Sequence, residues 1–400
     1  MLSTSFSILE EEKIGQEDEN DLKNQNSSDF SDTVLWGTDW TTETIITQLK
    51  KGNIELNPNF QRRDAWGIER KSTFIESLML SLPIPQIILA ERKEKKGTYI
   101  VIDGKQRLLS IRQYSVCDKN DDFEPLKLTG LQILRSLNGK TYNDIANDLS
   151  LSEYNNILDN QSIRTVIIKN WDSQEFLYRV FLRLNTGSLP LSPQELRQAF
   201  IPGPFTTFVD KFSKESYQIR NIFGLEKPDY RMRDVEIIVR YFAFKFFLEE
   251  YNGNLKDFLD STCYKLNNRW ENEEKYINEQ SEELNNAIDF SCNIFADNAF
   301  TKYSDKGFTQ IFNRPVFDIM TYYFSFTEIR SAAKGKEEII VDYFKKLCTN
   351  DIEFQRSIES STKNTSAIIK RFSEWGKCLM EALQIKIDIP EKTDNGIILK

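Results

Sequence analysis

The residues best suited to chemistry in this chain run from Asp103 to Arg107, inside the stretch YIVIDGKQRLLSI. A β-branched run ends at Asp-Gly and a helical pattern begins at once. Gly104 lets the backbone turn sharply and come close to a ligand. The amides that open the next helix face an anion, and the helix dipole adds favourable potential. Arg107, one turn in, can fork onto a phosphate. Asp103 can accept from a ribose, orient a water or hold a cation. Many strand–Asp-Gly–helix turns bind nothing, so the segment alone does not define a function.

The 400 residues include no histidine. That absence removes Ser-His-Asp and Cys-His catalysis, His-metal nucleases and every zinc site that needs an imidazole. Chemistry is left to carboxylates, amides, Arg, Lys, Tyr, Ser and the backbone. The cysteines, Cys117, Cys263, Cys292, Cys348 and Cys378, form no C-x-x-C pair. Neither a thiolate zinc site nor a disulfide framework is expected, and a reducing cytoplasm fits best. The N-terminus carries no secretion signature. The longest apolar stretch, Leu78 to Ala90, is broken by Pro83 and Pro85, and YFAFKFFL carries Lys245 in its middle. Neither is expected to span a membrane.

The net charge of −9 is unevenly spread. Residues 10–32 hold nine acids against two bases, which is −7. Residues 50–112 hold thirteen bases against seven acids, which is +6. An acidic tail therefore sits ahead of a locally basic segment, and the overall sign does not exclude a polyanionic partner.

These residues need a scaffold to place them. Residues 1–33 are polar and acidic and read as a disordered tail. Order is expected from VLWGTDWTTETIITQL, with Thr41 or Thr42 capping a short helix. A Pro-bearing loop leads to a helix in which Ile68, Phe74, Ile75, Leu78 and Met79 share a face. PIPQIILAERK reads as a buried strand, Tyr99–Ile102 as a second, Gln106–Tyr114 as a helix and IRTVIIKN as a third strand. SQEFLYRVFLRLNTG is an amphipathic helix that Gly187 could stop. Ser192, Pro193 and Glu195 then make a capping box at the start of another. Beyond about residue 205 the strand signals fade. The division is 1–33 tail, 34–204 α+β domain, 205–387 helical domain and 388–400 loose tail.

Three segments together resemble the N-terminal domain of GmrSD-type restriction endonucleases, a family with a fold similar to ParB and sulfiredoxin. They are NPNFQRRDAWGIERKSTFIESLMLSLPIPQIILAE, YIVIDGKQRLLSI and FLRLNTGSLPLSPQELRQA, and they cover roughly residues 35–205. Lys105 stands where the family usually has Gln, and Ser188 where a second Gly is common. The resemblance implies an α+β, ParB/sulfiredoxin-like domain followed by an all-α domain, and nucleotide hydrolysis in anti-phage defence. It implies Asp103 and Arg107 as catalytic residues, and a nucleotide site made with Gly104, Lys105, Gln106, Gln61 and Arg62. It places Asn185 at the phosphate and magnesium, with Glu195 as a second metal residue and Arg183 as a weaker candidate. The implied cofactors are a nucleoside triphosphate and Mg²⁺. The implied partners are DNA, including modified phage DNA, and a separate nuclease subunit. A His-Asn-His nuclease, frequent in full family members, is excluded by the missing histidine.

Each residue also has a plainer role. Arg62 and Arg63 suit a solvated basic turn. Trp66 is expected in the core rather than on a base. Asn185 suits a helix C-terminus, and Glu195 a capping box. The RKEKK run at 92–96 suits an exposed hairpin tip as well as a DNA backbone. The aromatic stripe at 241–247 suits a core or a helix interface. Two other functions stay open: a non-catalytic DNA-recognition adaptor, and a metal-dependent DNase built on Glu91, Glu94 and Asp64.

Overall fold

The computed structural model describes residues 34–54, 56, 65–118, 121–171, 173, 176, 177, 180, 192–225, 228–360, 362–393 and 396–400. The expected acidic tail at 1–33 lies outside them. The described residues divide into two compact units, one within 34–199 and one within 200–400. The protein is mixed α+β, with a small sheet in the first unit and a largely helical second one.

In the first unit, β1 (Val34–Thr41) runs into α1 (Thr42–Lys50), which Thr41 caps by accepting the Thr44 amide at 3.2 Å. After α2 (Ile68–Met79) come β2 (Ile87–Glu91), β3 (Tyr99–Asp103) and α3 (Lys105–Tyr114). Two short helices, α4 (Tyr142–Ala146) and α5 (Ser152–Asn160), precede β4 (Ser162–Lys169). A further helix, α6 (Pro193–Phe200), closes the segment. The sheet order is β1-β4-β2-β3. β4 pairs antiparallel with β1 and parallel with β2, and β2 and β3 form a hairpin. Ile75, Leu78, Leu89, Leu108, Leu109 and Ile163 anchor the core between sheet and helices.

β1 is a strand that the sequence reading did not contain. Its first residues, Val34, Leu35 and Trp36, are exposed, so no apolar alternation marks it. Gly37 interrupts it for a steric reason. A Cβ there would come within 2.4 Å of the Arg164 guanidinium, which crosses the strand to pair with Asp39 at 3.2 Å.

The second unit is built from α7 (Pro204–Glu215), α8 (Tyr217–Ile222), α9 (Arg233–Phe247), α10 (Leu255–Phe295), α11 (Arg314–Phe324), α12 (Thr327–Ala333), α13 (Glu337–Asn350), α14 (Ile352–Glu359) and α15 (Thr365–Leu383). The aromatic stripe on α9 is core: Tyr241, Phe242, Phe244 and Phe247 are buried. Phe244 packs on Phe258 and Phe372 with centroids 5.3 and 5.2 Å apart. Inside this core the Asp318 carboxylate accepts from Arg240 at 3.0 and 2.5 Å and from Arg371 at 3.3 Å.

Two expectations need correction. The second half is not all-α: β5 (Tyr303–Ser304) pairs with β6 (Gly307–Phe308), and β7 (Pro390–Thr393) with β8 (Gly396–Leu399). The second hairpin also replaces the expected loose tail at 388–400. Ile389 and Ile397 are buried, and backbone bonds tie Ile389 to Lys400 in both directions. An apolar foot, too short to register as a periodic pattern, holds it down.

Candidate functional site

The corner between β3 and α3 is shaped before any side chain acts. Opposite β3, Ile88 faces Asp103 and Leu89 faces Val101, so Ile102 is an extra residue in the ladder. Such a bulge re-aims the residue that follows it, here Asp103. Gly104 then adopts φ 97°, a left-handed conformation that disfavours any side chain. A Cβ at Gly104 would sit 3.2 Å from Ile87 and 3.2 Å from Arg107. No side chain among the described residues caps the start of α3. Its first-turn amides therefore keep their dipole uncompensated by a capping oxygen.

Asp103 and Arg107 meet across this corner. Arg107 Nη2 donates to Asp103 Oδ2 at 2.8 Å and to the Gln86 carbonyl at 3.0 Å. The Asp103 side chain keeps 24% of its surface and Arg107 only 10%. Arg107, expected to reach out to a phosphate, thus has one arm of its guanidinium turned onto its own corner. Arg107 Nε and Gln106 Oε1 are buried and have no hydrogen-bond partner among the described residues. One orphan donor and one orphan acceptor beside an uncapped helix start suit a polar, anionic ligand.

Lys105 and Glu195 form the second half of the site. Lys105 Nζ donates to Glu195 Oε1 at 2.5 Å, with both side chains under a tenth exposed. Glu195 Oε2 accepts the Ser192 amide at 2.7 Å, and Ser192 Oγ accepts the Glu195 amide at 3.1 Å. The capping box expected from the sequence is present. Both Glu195 oxygens are therefore engaged, and a metal ion would reach this carboxylate only in exchange for one of those bonds. Gln61, Arg62, Arg183 and Asn185 lie outside the described residues. So does Asp64.

Trp66 packs edge-on to Phe74 at 5.8 Å with Arg70 over its ring at 4.7 Å, the packing role expected for it. The Arg92–Lys96 run joins β2 to β3, and Lys93, Lys95 and Lys96 are exposed. Lys93 Nζ lies 4.8 Å from the centroid of Trp171, whose indole N–H donates to the Glu91 carbonyl at 2.7 Å. Glu91 Oε1 accepts the Gly97 amide at 3.1 Å, so this carboxylate braces the hairpin. Among the described residues no group of three Cys, Asp or Glu side chains could hold a metal. Nor is any helix there long and apolar enough to cross a membrane.

The sequence reading missed Lys71. Its ammonium is buried beneath α3 and donates to Gln113 Oε1 at 2.6 Å. Burial pushes the amine down to about 8. A signal existed: Ile68, Lys71, Ile75 and Leu78 share one helical face, so a lysine stands on the apolar stripe of α2.

Residues 42–202 match the family model of the GmrSD restriction endonuclease N-terminal domain. No curated protein and no solved structure is significantly similar to the chain.

Proposed function

We propose that residues 34–204 form a nucleotide-binding, NTP-hydrolysing domain of a DNA-directed, anti-phage restriction system, with a ParB- and sulfiredoxin-like fold. The observation that supports this most is the corner after Asp103. A left-handed glycine, an uncapped helix start and two orphaned polar atoms converge there. The triphosphate would lie across the first turn of α3, held by its amides and dipole. Arg107 Nε would donate to a phosphate oxygen while Nη2 keeps Asp103 in place. Asp103, the most open of the charged groups, would orient the attacking water. Gln106 Oε1 would accept from a sugar hydroxyl or a base N–H. Gln61 and Arg62 are assigned to the same site by the family resemblance, Gln61 as a hydrogen-bonding amide and Arg62 to neutralise phosphate charge. Mg²⁺, on nucleotide oxygens and Asn185 or Glu195, would draw negative charge from the phosphates. Lys105, neutralised by Glu195, would shape the wall of the site.

No complete G-x-x-x-x-G-K-[ST] motif occurs in the chain, so turnover would be slow and would switch DNA engagement or a partner nuclease rather than drive a motor. The test is phosphate release by the full chain from ATP, GTP, CTP and UTP, each with no DNA, plain DNA and phage-modified DNA. Release from at least one nucleotide, raised by DNA, is expected. DNA binding with no release from any nucleotide overturns the proposal.

That outcome would favour a second reading, a non-catalytic DNA adaptor, which the exposed Lys93, Lys95 and Lys96 support. These lysines would contact phosphates, so affinity would fall steeply with salt and ignore nucleotide.

A further inference from the structure

The helical unit contains a cavity of about 610 Å³ between α9, α10, α11 and α12, flanked by the β7–β8 hairpin. Its volume lies within the roughly 300–1,000 Å³ range of small-molecule sites. Tyr276, Tyr322 and Phe326 supply aromatic surface, and Lys245 and Gln280 supply polar atoms. Lys245 is the one cation in the aromatic stripe of α9. Its ammonium lies 3.2 Å from the Phe326 ring centroid and donates to Ser325 Oγ at 2.9 Å. Among the described residues no carboxylate pairs with it, although Glu283 and Glu328 line the same cavity. Glu283 is engaged instead by Arg330 at 2.6 Å. Burial lowers the Lys245 amine to about 8. Gln280 Oε1 is buried and lacks a partner among the described residues.

A half-buried ammonium with donor capacity to spare and an orphaned amide oxygen are costly unless something answers them. The aromatic walls prefer a flat ring. Three carboxylates line the cavity, Glu283, Glu328 and Asp388, against two lysines, Lys245 and Lys386. With Glu283 engaged by Arg330, the two lysines only balance the other two carboxylates, so the cavity holds no excess positive charge for a polyphosphate. We propose that this cavity binds a neutral, planar heteroaromatic compound with a ring carbonyl for Lys245 and a ring N–H for Gln280. A free nucleobase or nucleoside with an amide edge has that chemistry. The site lies wholly within residues 200–400 and does not depend on the nucleotide corner of the other unit.

The experiment is calorimetric titration of the full chain with uridine, guanosine, adenosine and uridine monophosphate. Uridine or guanosine is expected to bind. Adenosine, which has no ring carbonyl, is expected to bind at least about tenfold more weakly, the cost of leaving such a hydrogen bond unmade. Uridine monophosphate is expected to bind no tighter than uridine. Lys245→Met and Gln280→Leu should each weaken the preferred nucleoside by about tenfold while Asp103→Ala leaves it unchanged. Lys245→Met replaces a buried charge with an apolar chain, so it should fold at least as stably as the wild type. The proposal is overturned if neither uridine nor guanosine binds, if adenosine or the monophosphate binds best, or if both cavity variants bind like wild type.

Discussion

Lys105 and Glu195, 90 residues apart in the chain, meet at 2.5 Å where α3 and α6 both begin. Lys105 is also the position at which this sequence departs from the Gln usual in the GmrSD-type pattern. The extra positive charge meets the Glu195 carboxylate inside the protein. Because the pair is buried, removing either partner breaks a desolvated ion pair. Lys105→Met alone or Glu195→Gln alone should cost about 3–5 kcal/mol in urea unfolding. The double variant should lose much less than the sum of the two. Additive losses would show that the pair carries no coupling.

Asp103→Ala and Arg107→Ala should each abolish nucleotide turnover and leave the far-UV circular dichroism unchanged. Arg107→Lys should also fail, since one ammonium cannot hold Asp103, the Gln86 carbonyl and a phosphate with the geometry of a planar fork. Turnover persisting in both alanine variants sinks the assignment of this corner.

Gly104→Ala should destabilise the first unit by about 1–3 kcal/mol, because φ 97° is strained for alanine and its Cβ would crowd Ile87. Thermal melts and nucleotide affinity measured side by side would show both losses. A variant as stable as wild type would mean that the turn relaxes without penalty.

Lys71 makes stability depend on pH. Its amine sits near 8 in the folded protein against 10.5 ordinarily, lowered by burial. Between about pH 8 and pH 10.5 the unfolded chain holds this proton and the folded chain has released it, so stability rises with pH across that window. Relative to Lys71→Met, the wild type should gain on the order of 2–3 kcal/mol on going from pH 8 to 10.5. Parallel unfolding curves at both ends of the window are the check, and an unchanging difference contradicts the shift.

Much of the site's scaffold was legible because it is local. Thr41 caps α1 and the Ser192–Glu195 box opens α6 as their spacing predicts. The β2, β3 and α3 run follows from β-branched density ended by Asp-Gly. The parts that could not be read are long-range or unpatterned. β1 gains its partner from β4, more than a hundred residues later, and buries little of itself. The Lys105–Glu195 pair is a tertiary contact that no spacing encodes. α10 runs unbroken for 41 residues, with no Gly or Pro in it, although its buried positions pause between Leu266 and Ile277. The β7–β8 hairpin has one local signal, the Asn395-Gly396 pair ahead of Ile397 and Ile398.

The sheet order sets a timetable for synthesis. β4 is hydrogen-bonded to both β1 and β2, so neither pairing can be completed until β4 has cleared the ribosome. During that interval the nascent chain carries β1 without its partner, including Val34, Leu35 and Trp36. Slowing translation downstream of residue 169 would therefore favour productive folding, whereas a stall ahead of Ser162 would leave that strand open to misassociation.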